Sequence, residues 1–304
     1  MLIRIATRKS ALALWQAEHV AAMLEKLAHV SAVELVPMST RGDEVLDRSL
    51  QKIGGKGLFI KELEIAMQGD QADIAVHSMK DVPAEMPDGF VIAAMLERAN
   101  PADALVSHDG RTLDDLPQGA RIGSSSLRRQ AQLKVLRPDL AIEPLRGNVN
   151  TRLAKLDRGD FDAIVLASAG LERLGLADRI SEQFAPGRML PAAGQGVVGI
   201  ECLGERQDLR AILQQLEHPD SKQRTLAERA VAKTLQASCQ SPVASYAELR
   251  DGSLTLTALV ASPDGGTVMR ETATDNAQQA EALGIAVATR LLDQGAGALL
   301  DAVV

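Results

Sequence analysis

The chain is short of aromatic side chains, with one Trp, one Tyr and four Phe among 304 residues. Its cores must therefore be built from Ala, Leu, Val and Ile, and apolar residues at 46% are plentiful enough for that. Cysteine is scarcer still. Cys202 and Cys239 are the only two, too few and too far apart for a disulfide framework or a zinc site. The expected compartment is the reducing cytoplasm. No apolar run approaches the roughly 18 residues of a membrane span. The opening "MLIRIATRKS" has neither the apolar stretch nor the small-residue cleavage site of a signal peptide, so no membrane partner is expected. A net charge of −7 argues against a nucleic-acid partner. No metal site is expected, because His77 has no companion at ligand spacing.

What is present is a repeating strand–turn–helix pattern, which implies an α/β fold with parallel sheets and active loops at the strand ends. "LIRIAT" reads as a strand, and Ser10 caps a helix over "ALALWQAEHVAAMLEKLAHV". "AVELVPM" and "ADIAVHS" are further strands, with the helix "GLFIKELEIAMQGD" between them. The pattern restarts after "ERANPAD" with "ARIGSSS", "AIEPLRG" and "FDAIVLASAG", each leading into a helix. "LPAAGQGVVGIECL" reads as a hinge leading back to the first unit. From about residue 219 come a helix, three strands joined by "DG" and "PDGG" turns, and a last helix. The expected domains are 1–98 with 197–216, then 102–192, then 219–304.

Charge is distributed unevenly. "KIGGKGLFIK", "SSSLRRQ" and "LRGNVNTR" gather basic residues beside Gly, Ser and Asn, as suits a binder of small polyanions. Arg8, Arg128, Arg129, Arg146 and Arg152 all fall at strand-to-helix junctions, where helix starts favour anions and guanidinium forks grip carboxylates. "GGKG" lacks the Ser or Thr of a phosphate loop; the 42–60 segment carrying Lys52 and Lys56 reads instead as a lid or a plain loop. Asp81, just past a buried strand, is either a turn residue or a proton carrier. Cys202 on an apolar strand reads as a core cysteine. Cys239, in the polar loop "TLQASCQSPV", is either an incidental loop residue or a reactive thiol.

Several segments together resemble the porphobilinogen deaminase (hydroxymethylbilane synthase) family: "IRIATRKSALALWQA", "ADIAVHSMKDVP", "IGSSSLRRQAQL", "LRGNVNTRL", "DAIVLASAGLERLG" and "LPAAGQGVVGIEC". The match runs in order from near residue 3 to about 250. The resemblance implies two type II periplasmic-binding-protein-like domains plus a smaller α/β C-terminal domain with a short antiparallel sheet. It implies a transferase that joins four porphobilinogen molecules head to tail, releasing ammonia, to give hydroxymethylbilane in porphyrin and haem biosynthesis. It implies a covalent dipyrromethane cofactor attached at the position of Cys239, and a monomer.

By the same resemblance Asp81 is catalytic, protonating the leaving amine and then stabilising charge on the pyrrole nitrogens. Cofactor binding falls to Cys239, Lys80, Asp81, Ser126, Arg128, Arg129, Arg146 and Gly147. Substrate binding falls to Arg8, Ser10, Arg146, Arg152, Arg173 and Gln195, with Lys52, Lys56 and Phe59 from the lid. One departure stands out: the family commonly has Gly-Gly before the attachment cysteine, where this chain has Ala237 and Ser238. The alternative reading is a bilobal small-anion binding protein without catalysis, which leaves Cys239 unexplained.

Overall fold

The computed structural model describes residues 1–40, 60–238 and 240–302. The expectations for Lys52, Lys56, Phe59 and the lid, and for Cys239 itself, lie outside the described residues. In chain order the first elements are β1 (Leu2–Arg8), α1 (Ala11–Leu24), β2 (Ala32–Met38), α2 (Lys61–Gln68), β3 (Ile74–Ser78) and β4 (Phe90–Met95). Next come β5 (Asp103–Ser107), β6 (Arg121–Gly123), α3 (Leu127–Leu136), β7 (Ala141–Glu143), α4 (Val149–Asp157), β8 (Ala163–Ala167), α5 (Ser168–Arg173) and β9 (Glu182–Phe184). The chain finishes with β10 (Val198–Leu203), α6 (Gln207–Leu213), α7 (Pro219–Thr234), β11 (Val243–Arg250), β12 (Ser253–Ala261), β13 (Val268–Asn276), α8 (Ala280–Asp293) and α9 (Ala296–Asp301).

The chain divides into two compact units, one of residues 1–98 and 197–222, the other of residues 99–196 and 223–304. The first holds a sheet in the order β2-β1-β3-β10-β4. β1 runs parallel to β2 and β3, while β10 is antiparallel to β3 and β4. Alternation along β1 turns Ile3 and Ile5 inward. Ala13, Gln16, Ala17, Val20 and Leu24 form the inward stripe of α1 at helical spacing. Ser10 caps α1 by accepting a hydrogen bond from the Ala13 N–H. The helix stops at Leu24, short of the expected "KLAHV", because the chain must turn back for Ala32 to pair beside Leu2. That return is pinned by the Ser31 N–H donating to the Met1 carbonyl, 2.8 Å.

The second unit repeats this arrangement in the order β7-β6-β8-β5-β9. β6 is parallel to β7 and β8, and the fourth strand, β5, is again the antiparallel one. In both sheets the antiparallel fourth strand follows a connection from the other unit's segment of the chain, β5 from residues 96–102 and β10 from residues 185–197. Residues 243–276 add a three-stranded antiparallel sheet, β11-β12-β13. Asp251 and Gly252, at φ of 50° and 76°, make the two-residue turn of its first hairpin, the conformation that a primed turn requires. α7 and α8 cover one face of this sheet, and Gly284 of α8 lies against the Ala227 backbone with no room for a Cβ. This is an α/β fold of two five-stranded mixed sheets with a smaller three-stranded antiparallel sheet near the C-terminus. No helix among the described residues is long and apolar enough to cross a membrane.

Candidate active site

Parallel pairing sets the first cluster. β1 and β3 are neighbours in register Ala6↔Ala75, so Arg8 and Ser10 past one strand share the carboxyl edge of the sheet with Lys80 and Asp81 past the other. β3 runs straight into a single 3-10 turn, Met79–Asp81. That turn is held from below. The Met79 N–H donates to the Val197 carbonyl at 2.9 Å, and the Met79 side chain is buried among Ile60, Val82, Met95 and Val197. A Cβ on Gly199 would overlap the Met79 sulfur, so any larger residue there must displace the Met79 side chain. Asp81 itself is exposed at the end of this rigid support, and Lys80 is half-buried. Behind them Gln16 donates to the Ser78 hydroxyl at 2.8 Å, tying α1 to the end of β3.

His77 is resolved as an internal residue. Its Nε2 lies 2.7 Å from Glu201 Oε2 on β10, with both side chains buried. Cys202, next along β10, is fully buried in the core, and burial pushes its thiol up to about 11. It is a packing cysteine. No cluster of three His, Cys, Asp or Glu suited to a metal occurs among the described residues.

The second cluster lies along the corresponding edge of the other sheet. Ser124 to Ser126 follow β6, Arg146 and Gly147 follow β7, and α5 with Arg173 follows β8. Because β6, β7 and β8 are parallel, these three junctions occupy one edge. Ser126 starts α3 without a side-chain cap, leaving the N–H groups of the first turn to other acceptors. Gly147 has φ of 109°, a conformation that a side chain resists. Its carbonyl accepts from Arg152 Nε at 2.7 Å. Asn148 caps α4 through the Thr151 N–H. Arg173 donates to the Gly196 carbonyl, and burial pulls its pKa down.

Arg128, Arg129 and Gln195 have an internal task that the sequence reading did not foresee. All three are buried and converge on Asp103 of β5. Arg128 makes a two-point contact, Nη1 to Oδ2 at 2.6 Å and Nη2 to Oδ1 at 3.2 Å. Arg129 reaches Oδ1 through Nε and Nη2, and Gln195 through Nε2 at 3.0 Å. Burial alone would raise the Asp103 pKa, but the two guanidiniums outweigh it and hold the carboxyl well below the usual range. The residue that organises this network was hidden in "NPADALVS", where Asp after Pro and Ala reads as a turn; the signal was the apolar run that follows it.

The return connection is fastened by the same means. Gln132 accepts from the Leu190 N–H at 2.6 Å and donates to the Leu190 carbonyl. Glu228 of α7, fully buried, accepts from the Gly194 N–H at 2.7 Å and the Ala247 N–H at 2.8 Å. "AAGQG", expected as a hinge, is thus bonded to the second unit at Gly194, Gln195 and Gly196. Glu228 escaped the sequence reading because "LAERAVAK" looks like an ordinary charged helix face.

The loop before Cys239 also has a defined shape. Gln236 takes the left-handed conformation, φ 51°. Its N–H donates to the Lys233 carbonyl, and the Ala237 N–H to the Ala232 carbonyl at 2.8 Å. Those two bonds are the Schellman ending of a helix. The left-handed position falls on Gln236, and neither Ala237 nor Ser238 has positive φ. The backbone at those two positions has no need of glycine.

Residues 3–211 match the family model described as porphobilinogen deaminase, dipyromethane cofactor binding domain, and residues 222–293 match the porphobilinogen deaminase C-terminal domain. A porphobilinogen deaminase of Chromobacterium violaceum is 56% identical over 301 residues, 99% of this chain and 97% of that protein. Among solved structures, the VFT2 domain of Bordetella pertussis BvgS is 14% identical, with a TM-score of 0.43 over 71% of this chain and 86% of that one. A probable amino-acid ABC transporter extracellular-binding protein of Bacillus subtilis is likewise 14% identical, with a TM-score of 0.42 over 71% and 90%. The two family models together span nearly the whole chain, and the chain belongs to the porphobilinogen deaminase family.

Proposed function

We infer that the protein is a transferase that condenses porphobilinogen head to tail into hydroxymethylbilane, releasing one ammonia per substrate, in the porphyrin and haem route. The observation that carries the residue-level reading is Asp81, an exposed carboxylate on a buttressed turn beside Lys80, at the sheet edge shared with Arg8 and Ser10. Porphobilinogen carries two carboxylates and one aminomethyl group, and each has a counterpart here. Arg8, Arg146, Arg152 and Arg173 supply guanidiniums for carboxylates, assisted by the Ser10 and Ser126 hydroxyls and Lys80. The Asp81 carboxyl gives a proton to the aminomethyl nitrogen as ammonia departs. Ionised, it then faces the positive charge that develops on the pyrrole nitrogen.

A dipyrromethane, a polyanion joined through a thiol, suits this donor set: cations following three parallel strands, an uncapped helix start at Ser126, and Cys239. When bound, it supplies the nucleophilic pyrrole carbon for the first condensation. Cys239 would hold it, and the residues the family resemblance assigns to cofactor binding are Ser126, Arg146 and Gly147 at one sheet edge and Lys80 and Asp81 at the other. Arg128 and Arg129 contribute by fixing the start of α3 through Asp103, in addition to any N–H they direct outward. Gln195 contributes by fastening the connection that carries it.

The division into domains 1–98 with 197–216, 102–192 and 219–304 belongs to this proposal, supported by three separate sheets. So do a monomeric working form and a cytoplasmic location. The test is incubation of the purified chain with porphobilinogen. One ammonia per substrate consumed, with a linear tetrapyrrole as product, is expected; binding without ammonia release would instead favour the binding-protein alternative.

A further inference from the structure

We propose that the buried His77–Glu201 pair is a latch for the Met79–Asp81 turn, which makes both side chains positioning residues that act through Asp81. The proposal rests on Asp81 being the proton carrier of the proposed reaction. β3 and β10 run antiparallel, with Gly199 opposite His77 and Glu201 opposite Ala75. Opposed residues in such a ladder share a face, as do residues two apart along one strand. Ala75, His77, Gly199 and Glu201 therefore lie on one face, where Leu63, Ala66 and Met67 of α2 pack against Ala75. Met79 joins them, since a Cβ on Gly199 would meet its sulfur. Because Gly199 has no side chain, the His77 ring can lean along β10 to Glu201, where Nε2 lies 2.7 Å from Oε2.

The ladder of β3 and β10 ends at Ser78↔Val198, and the bond from the Met79 N–H to the Val197 carbonyl carries it one step further. Side chains fix the same segment in two more places, Met79 in the slot left by Gly199 and His77 on Glu201. Asp81 comes four residues after His77 on this segment. A roll or slide of the end of β3 against β10 would therefore carry the carboxylate away from its working position. A 2.7 Å hydrogen bond opposes both movements because it is directional.

The pair is a costly way to fill that space. Both side chains are buried, Glu201 completely. Its Oε1 has no hydrogen-bond partner among the described residues, and an unsatisfied buried carboxylate oxygen lowers stability. Glu64 of α2 brings no relief, since burial and then the charge of Glu201 push its own carboxyl up. Two apolar side chains of similar volume would fill the space without that penalty. What they would not supply is a fixed direction and distance between the two strands, and that is the property a presented carboxylate needs.

The experiment uses the full-length chain. Turnover is followed by ammonia release from porphobilinogen, and urea unfolding by the fluorescence of Trp15, which lies in the same compact unit. The double variant His77→Leu/Glu201→Met should unfold at the wild-type urea concentration or above it. Its kcat should fall about tenfold with KM unchanged, as for a reacting group slightly out of place. Glu201→Gln, which keeps the shape and a hydrogen bond to His77, should recover most of that loss. In an Asp81→Ala background the apolar pair should cause no further fall, because the latch acts only through that carboxyl. An apolar pair with wild-type kcat would overturn the latch. So would the same fall persisting in the Asp81→Ala background, or a lowered urea midpoint, which would show that the pair serves the fold alone. A wild-type chain that releases no ammonia would overturn the proposed reaction itself, and the latch with it.

Discussion

Replacing Asp81 with Ala is expected to cut turnover by at least about 100-fold, the scale of a lost proton carrier or charge stabiliser. The fold should barely notice. Asp81 is exposed at the last position of its turn, whereas the support comes from Met79, its backbone bond to Val197 and the close fit at Gly199. Stability should therefore change by no more than about 0.5 kcal/mol. Asp81→Asn separates the roles further. It keeps the shape but can neither give up a proton nor carry charge, so kcat and kcat/KM should fall together if the group acts in the transition state. Steady-state kinetics with an ammonia readout decides this. A variant that retains normal ammonia release would refute the role given to Asp81.

The largest structural effect is expected at Asp103. Asp103→Asn leaves two buried guanidiniums facing a neutral amide. Removing one partner from a buried ionic cluster costs about 3–5 kcal/mol. The variant's unfolding midpoint in urea, followed by far-UV circular dichroism, should fall accordingly; Trp15 fluorescence would report mainly the other unit. The pH dependence has a definite sign. The native pKa of Asp103 lies below its unfolded value. Its contribution is therefore complete above about pH 5 and fades as pH falls through the unfolded value and beyond, when the unfolded chain binds a proton that the native state refuses. The gap between wild type and variant should be flat from neutral pH to about 5, then narrow. A gap independent of pH down to 2 would show that shape, not charge, holds the cluster together.

These two carboxylates show what sequence could and could not reveal. The placement of Asp81 in a turn just past a buried strand was legible because its surroundings are local, whereas its catalytic role came from the family resemblance. Ser10 was legible for the same reason, since a cap and its helix are adjacent. Cys202 was legible from the apolar strand around it. Asp103 was not, because its meaning depends on Arg128, Arg129 and Gln195, which are 25, 26 and 92 positions away. Nothing near "PADALVS" announces that two arginines will be buried against it. The arginines were therefore read as outward-facing ligands, when much of their bonding points inward. Glu228 illustrates the same limit, because its partners Gly194 and Ala247 come from separate segments. β4 and β5 went unread as strands because their pairing is antiparallel and non-local, outside the strand–helix rhythm that marked the others.

The loop before Cys239 sharpens the same point. Ala237 and Ser238 looked like a departure that put its geometry in question. The structure moves the strained position one residue upstream, to Gln236, which takes the left-handed conformation at a cost of roughly 1 kcal/mol relative to glycine. The serine that replaces glycine accepts a hydrogen bond from the Gln240 N–H.

The central claim is that this chain works as a transferase on a primer attached through Cys239, and intact-mass spectrometry of the freshly purified protein tests it most directly. The account predicts a mass above that of the sequence by two linked pyrrole units, and the bare sequence mass for Cys239→Ala. An unmodified wild-type mass, with no colour in a pyrrole-detecting reagent, would contradict it.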